Sequence, residues 1–358
     1  MKIDRVIIED WLAAIFTAAS VPNEEARLIS HHLVGADASG HASHGIVRVP
    51  RYIDYLENEM VRPVCHSQTL LHQGPLMLMD GQYSFGQVLG HKLIDEATTL
   101  VRAHGVALIG LRHAGHLGRI GAWAELLADR GLSSVHFVTV TGSAIVAPFG
   151  SREARLSTAP VTIGIPHEGD DHFILDFATS LVAEGKILVS QKTGTSLPSQ
   201  AMVDESGDDS DDPISLYGAT AFKDVPDPTA GTGAIQTFGA HKGSGLGLAC
   251  ELLAGALTGS GTNAKKRPFC NGMLSIVFDS EQFDTDHIMQ AEIHDFITSI
   301  RQAAPREKGG QVLIPGDKER QMRAKMAKEG VPLDEAIISD LIALSHKYNV
   351  MIPEIIEA

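Results

Sequence analysis

Between His41 and Tyr52 the chain runs His41-Ala42-Ser43-His44-Gly45-Ile46-Val47-Arg48-Val49-Pro50-Arg51-Tyr52, gathering a hydroxyl, two imidazoles, two guanidiniums and a phenol. Imidazole is the side chain that gives or takes a proton near neutral pH, and a guanidinium grips a carboxylate with a rigid pair of N–H donors. Together they suit a small anionic substrate that exchanges a proton. The plainer alternative makes Gly40 a left-handed helix cap, Ser43 the N-cap of the next helix, and the arginines a solvated face.

Later stretches carry related chemistry. Behind an apolar strand expected over 106–111 stands Arg112-His113-Ala114-Gly115-His116-Leu117-Gly118-Arg119-Ile120-Gly121, a glycine-rich strand-to-helix link. Such links can cradle phosphate on backbone N–H groups. The spacing is G-x-x-G-x-x-G and not G-x-G-x-x-G, and no acidic residue is placed about 20 residues on, so close packing explains these glycines equally well. Asp176 interrupts an apolar strand over 172–178, a costly position for a carboxylate without a partner. It caps a helix expected to open at Thr179 and Ser180, orients a catalytic imidazole, or does both. Phe238-Gly239-Ala240-His241-Lys242-Gly243 runs into a helix over 249–257, but its lysine precedes the glycines, unlike a Walker A loop.

The elements that must hold these residues follow from periodicity. Helices are expected over 8–20 and 22–39, and a further helix after Ser43 begins near Val49 or kinks at Pro50. That helix places Arg48, Arg51, Tyr52 and Tyr55 on one face. Strands are expected over 76–79, 134–140, 271–279 and 311–314, and helices over 85–104, 287–303, 318–329, 333–348 and 353–357. The stretch 193–233, with five aspartates and one glutamate between Asp204 and Asp212, reads as a solvated loop or lid and lacks the ligand order of a calcium loop.

Global properties narrow the field. With 358 residues, 44% of them hydrophobic, the chain can bury one large or several modest cores. A helix-rich domain from 1–75 with 305–358 and a central domain over 76–304 are expected. A formal charge of -15 argues against nucleic acid or an anionic membrane as partner. Cys65, Cys250 and Cys270 are scattered without metal-ligand spacing, and no leader or spanning run is visible, so the cytoplasm is expected. The 17 histidines raise a metal-dependent hydrolase or lyase, but HExxH spacing is missing; a Ser-His hydrolase lacks the G-x-S-x-G elbow.

Taken in order, Ser43-His44-Gly45 with Arg48 and Tyr52, the His116 to Gly121 stretch, Asp176 to Ser180 with Gly185-Lys186, Phe238 to Gly243, and Ile314 to Asp317 resemble the type-2 malate/L-lactate dehydrogenase family over nearly the whole chain. Within it, Phe85-Gly86-Gln87-Val88 and Cys250 to Leu257 are most similar to the hydroxycarboxylate dehydrogenases. The resemblance implies an α/β, non-Rossmann fold with a mixed, largely antiparallel central sheet, a homodimer, and NAD or NADP as cofactor. It implies interconversion of a small anionic 2-oxo acid and its 2-hydroxy acid; relatives also reduce cyclic imino acids or oxidise ureidoglycolate, malate or lactate. By the same resemblance His44, with Ser43 beside it, is the proton donor next to the nicotinamide, and His116 is a second active-site histidine, a general base in some members. Asp176 joins the catalytic set. Arg48 would hold the substrate carboxylate, with Tyr52 beside it. Gly118, Arg119, Ile120, Asp176, Phe177, Ala178, Thr179, Ser180, His241, Asn271, Pro315, Gly316 and Asp317 resemble cofactor contacts. Ser157-Thr158-Ala159-Pro160 departs from the family's Gly-Thr-Asn-Pro, losing an amide.

Overall fold

The computed structural model describes residues 1–221, 223 and 225–357. Helices α1 (Arg5–Ala18) and α2 (Asn23–Ala38) pack as a pair, α1 capped by Asp4, whose side chain accepts from the Val6 N–H. Two short turns, Ala42–His44 and Ile46–Arg48, then lead into α3 (Val49–Glu57), with Pro50 in the first turn, where its missing N–H costs nothing.

Seven strands form the central sheet: β1 (Gln68–Gln73), β2 (Leu76–Asp80), β3 (Val106–Ala114), β4 (Ser133–Thr141), β5 (Val161–Ile165), β6 (Phe173–Phe177) and β7 (Cys270–Phe278). Their spatial order is β1-β2-β3-β7-β4-β5-β6, with β2 and β3 parallel and every other neighbouring pair antiparallel. The sheet is therefore mixed and mostly antiparallel. Helix α4 (Gly86–His104) supplies the crossover between the parallel strands and ends at Gly105, whose φ of +78° suits glycine. After β3 comes α5 (Gly121–Ala128), and after β6 comes α6 (Glu184–Thr193). Helix α7 (His241–Cys250) continues through a π turn, Glu251–Ala256, and α8 (Met289–Arg301), α9 (Asp317–Glu329) and α10 (Glu335–Tyr348) follow β7.

Burial separates the hydrophobic interior into distinct cores. Trp11, Phe16, Leu33 and Ile53 pack with Val331, Leu333 and Leu341, so the two ends of the chain share one core. Leu89, Ile109, Trp123 and Met273 fill the space between the sheet and helices α4 and α5. A third core gathers Val47, Ile187, Met202, Tyr217 and Ile235.

Four local expectations need correction. Thr179 and Ser180 open no helix: Thr179 donates through N and Oγ1 to the Thr158 carbonyl and Ser180 bridges to Thr237, so α6 starts only at Glu184. The helix expected at Ala249 begins eight residues earlier, at His241. Residues 311–314 form no strand; the neighbouring Pro315 carbonyl braces β6 instead, accepting from the Ile174 N–H at 3.2 Å. The 193–233 stretch is more ordered than a lid, with short strands at Met202–Val203 and Asp209–Ser210 pairing beside Ala234–Ile235, and a helical turn at Ile214–Tyr217. Part of that expected lid, residues 222 and 224, lies outside the described residues.

Candidate active site

Two segments far apart in sequence bring their imidazoles together. His44 rides on the turn between α2 and α3, and His116 follows the end of β3; their ring centroids are 5.5 Å apart and the planes are inclined by 15°. Both rings are stacked, so neither donates to the other in plane. The turn carrying His44 is held by Asp37 of α2, whose Oδ2 accepts from the Ile46 N–H at 2.6 Å. Burial pushes the Asp37 carboxyl up to about 7, the hydrogen bond from Ile46 only partly opposing it. The His116 loop is held by Asn271 of β7, whose Oδ1 accepts from the Leu117 N–H at 2.8 Å while its Nδ2 donates to the Thr139 carbonyl.

A cleft of about 920 Å³ opens over this pair. Arg51, Tyr52 and Tyr55 of α3 line it together with Arg48 from the turn just before. Arg48 donates through Nε to the Ser43 carbonyl at 2.7 Å, and its Nη1 lies 2.7 Å from Glu184 Oε2. Arg51 reaches the other oxygen of Glu184 at 3.1 Å and donates to the Pro226 carbonyl at 2.7 Å. Tyr217 donates its hydroxyl to Glu184 Oε1 at 2.8 Å. Two buried guanidiniums thus share one buried carboxylate. The surplus positive charge faces the cleft, where a carboxylate would neutralise it.

Glu184 was not anticipated, because an acidic residue in the first turn of a helix is ordinary in sequence. Burial alone would raise its pKa, but Arg48 and Arg51 hold it far below the usual carboxylate range. Its neighbour Gly185 is equally constrained: a Cβ there would lie 2.5 Å from the Ser43 carbonyl oxygen and 2.6 Å from Arg48 Nη2. Only glycine lets α6 approach the histidine turn this closely.

Both imidazoles are shifted toward the neutral form. Burial, reinforced by the Arg48 guanidinium, pushes His44 down to about 3 and lowers His116 well below the ordinary range. The His44 Nδ1 is buried without a partner among the described residues.

Of the residues expected to contact a cofactor, His44, Gly118, Ile120, Asp176, Phe177, Ala178 and Ser180 line the same cleft, as do Thr158 and Pro160. Arg119, Thr179, His241, Asn271, Pro315, Gly316 and Asp317 do not. Arg119 pairs with Glu125, and Asp317 is tied to Arg301 and Arg320, with 2.6 Å contacts to both. Asp176, though it lines the cleft, neither caps the helix that follows it nor hydrogen-bonds an imidazole among the described residues. Its Oδ2 accepts from the Gly121 N–H at 2.7 Å and its Oδ1 from Thr162 Oγ1 at 2.6 Å, so it caps the start of α5.

The unusual Ser157–Pro160 loop rests on Glu251, which sits in the π turn and accepts from the Ser157 N–H at 3.1 Å. Ala159 is fully buried with φ +36°. That left-handed backbone favours asparagine over alanine, which agrees with the residue the family resemblance expects there.

The sequence profile described as malate/L-lactate dehydrogenase matches residues 3–342. The chain belongs to the malate/L-lactate dehydrogenase family. It is 31% identical to hydroxycarboxylate dehydrogenase B of Escherichia coli (strain K12) over 339 residues, covering 93% of this chain and 90% of that protein. L-lactate dehydrogenase of Cupriavidus necator is 32% identical over 359 residues, covering 99% of each chain. Among solved structures, a dehydrogenase from Sinorhizobium meliloti superposes with a TM-score of 0.85 at 30% identity, covering 96% of this chain and 98% of that one. In this chain the paired histidines, the arginine pair and the cleft fall in one place. No group of three His, Cys, Asp or Glu side chains able to hold a metal occurs among the described residues.

Proposed function

We propose that this chain is a nicotinamide-dependent oxidoreductase that interconverts a 2-oxo acid and its 2-hydroxy acid. The observation that carries the reading is the stacked His44–His116 pair beside a guanidinium pair with surplus positive charge. A nicotinamide nucleotide fits the donor set: the cleft is large enough, and Gly118, Thr158, Ala178 and Ser180 bring small side chains and backbone groups to its lining. When bound, the cofactor supplies or accepts the hydride. In the reductive direction the 2-oxo acid gains that hydride at carbon and a proton at oxygen.

The chain's own residues do the rest. Among the described residues Arg48 uses Nε and Nη1 within the protein, which leaves Nη2 to receive the substrate carboxylate. Burial is the main cause of the low proton affinity of His44 and the Arg48 charge adds to it; the substrate carboxylate offsets that second part, so binding the anion favours the proton that His44 delivers to the forming alkoxide. Recruitment of the acid is thereby coupled to the presence of an acid substrate.

The test is a panel of 2-oxo acids and cyclic imino acids with NADH and with NADPH, followed by absorbance of the reduced nicotinamide. We expect turnover of a 2-oxo acid, and His44→Ala lowering kcat by roughly 100-fold or more with cofactor affinity nearly intact. Turnover of imino acids alone, or an unchanged kcat in the variant, would overturn this assignment.

A further inference from the structure

Behind His116 lies a buried chain of hydrogen bonds whose direction can be deduced from one carbonyl. Gln87, in the first turn of α4, is fully buried, and its Nε2 is 3.1 Å from the His116 carbonyl oxygen and 2.8 Å from Tyr52 Oη. A backbone carbonyl can only accept. The amide must therefore turn its NH₂ toward it, and the second N–H of the same group points at Tyr52. With its oxygen accepting from Gln87, the Tyr52 hydroxyl directs its own proton at the remaining neighbour, His116 Nδ1, 2.7 Å away.

We infer that Gln87, through Tyr52, holds His116 as the tautomer that carries its proton on Nε2. Gln87 Oε1 is left without a partner in the interior, among the described residues. A buried unmet acceptor is a cost of about 1–3 kcal/mol that packing alone would not retain, whereas orienting the imidazole is a reason to retain it. Gly86 belongs to the same device. A Cβ there would lie 2.3 Å from the His116 carbonyl oxygen, so glycine is what lets the start of α4 press against that carbonyl.

The consequence for catalysis rests on the hydroxy-acid reading; the tautomer itself does not. A neutral ring with Nε2–H cannot take a proton at Nε2, so His116 meets the substrate oxygen as a hydrogen-bond donor and not as the general base. His44 is left as the group that exchanges the proton. Gln87 is a positioning residue, acting only through Tyr52.

The direct test is proton-detected nitrogen NMR of the ligand-free chain labelled with ¹⁵N in histidine, with the His116 signals identified by their loss in His116→Asn. We expect a protonated Nε2 and a bare Nδ1. The Gln87→Glu variant, recorded at alkaline pH where the new carboxylate is ionised, offers Tyr52 an acceptor in place of a donor. It should turn the chain round and move the His116 proton to Nδ1, with kcat falling about tenfold or more and KM nearly unchanged. Wild-type His116 protonated at Nδ1, or a ring that keeps Nε2–H in folded Gln87→Glu, would overturn the inference. If the protein showed Nε2–H but turned over no hydroxy or oxo acid, the tautomer would stand and only the function above would fall.

Discussion

Glu184 sets the electrostatics of the cleft. Removing its charge strands two guanidiniums that are 8% and 9% exposed, and an unpaired buried charge is far more costly than a missing pair. Glu184→Gln should therefore lose about 3–5 kcal/mol in urea unfolding, where a surface carboxylate of the same type would lose less than about 1 kcal/mol. His44 makes a separate prediction about pH. With its pKa depressed to about 3 by burial and Arg48, the ring is already a free base through the neutral range. Oxidation of the hydroxy acid should accordingly show no fall in kcat/KM attributable to an imidazole between about pH 8 and pH 5. An inflection near the ordinary histidine value, absent in His44→Ala, would contradict this. The histidines and arginines were legible as residue types, since few other side chains do this chemistry. Glu184 and Gln87 were not, because a carboxylate or amide near a helix start has many commoner uses.

At the level of helices and turns, the site depends on close approach of α6 to the histidine turn. Gly185→Ala would drive a methyl group into the Ser43 carbonyl and the Arg48 guanidinium, and something must shift. We expect kcat/KM to fall about 100-fold while far-ultraviolet circular dichroism stays unchanged, because misplacement of about an ångström is enough to cost that much. Long amphipathic helices such as α2 and α4 were readable from the recurrence of apolar residues, and Gly105 marked its helix end correctly. The start of α6 was not readable. Thr179 and Ser180 look like helix caps in sequence, yet Thr179 bonds to the Thr158 carbonyl and to the Phe238 N–H, partners from elsewhere in the chain, and the Ser180 hydroxyl donates to the Val182 carbonyl. Asp176 misled for the same reason: the helix it caps is α5, which precedes it by more than fifty residues.

For the molecule as a whole, buried histidines link folding to pH. His32, His44, His116 and His136 are all depressed, chiefly by burial, with His44 near 3 and His136 near 4. The unfolded chain binds protons at these rings near 6.5, before the folded chain does, so protons favour unfolding. Their contribution is fully present above about pH 6.5 and lost as pH falls toward about 4. Asp37 acts in the opposite sense, its raised carboxyl favouring the folded state less as pH climbs from 3.8 to about 7, but it is one group against four. Urea unfolding should therefore show a steep loss of stability between about pH 6.5 and 4. A flat profile would contradict the burial of these rings. The chain ends are linked more simply, since Trp11 Nε1 donates to Ser345 Oγ at 2.8 Å in the interior. Ser345→Ala should cost about 1–2 kcal/mol by leaving that donor unmet.

The sequence by itself determined the local periods, the helix stops and the supply of proton-exchanging and anion-gripping side chains, because each depends on residues a few positions apart. It also carried the ordered series of motifs that marks the family. Only the tertiary structure decided which groups meet. The crossing of β7 between β3 and β4, the approach of α6 to the turn at Ser43, and the path from Gln87 to His116 join residues separated by tens to well over a hundred positions. Their partners are set by packing in three dimensions, which no local pattern encodes.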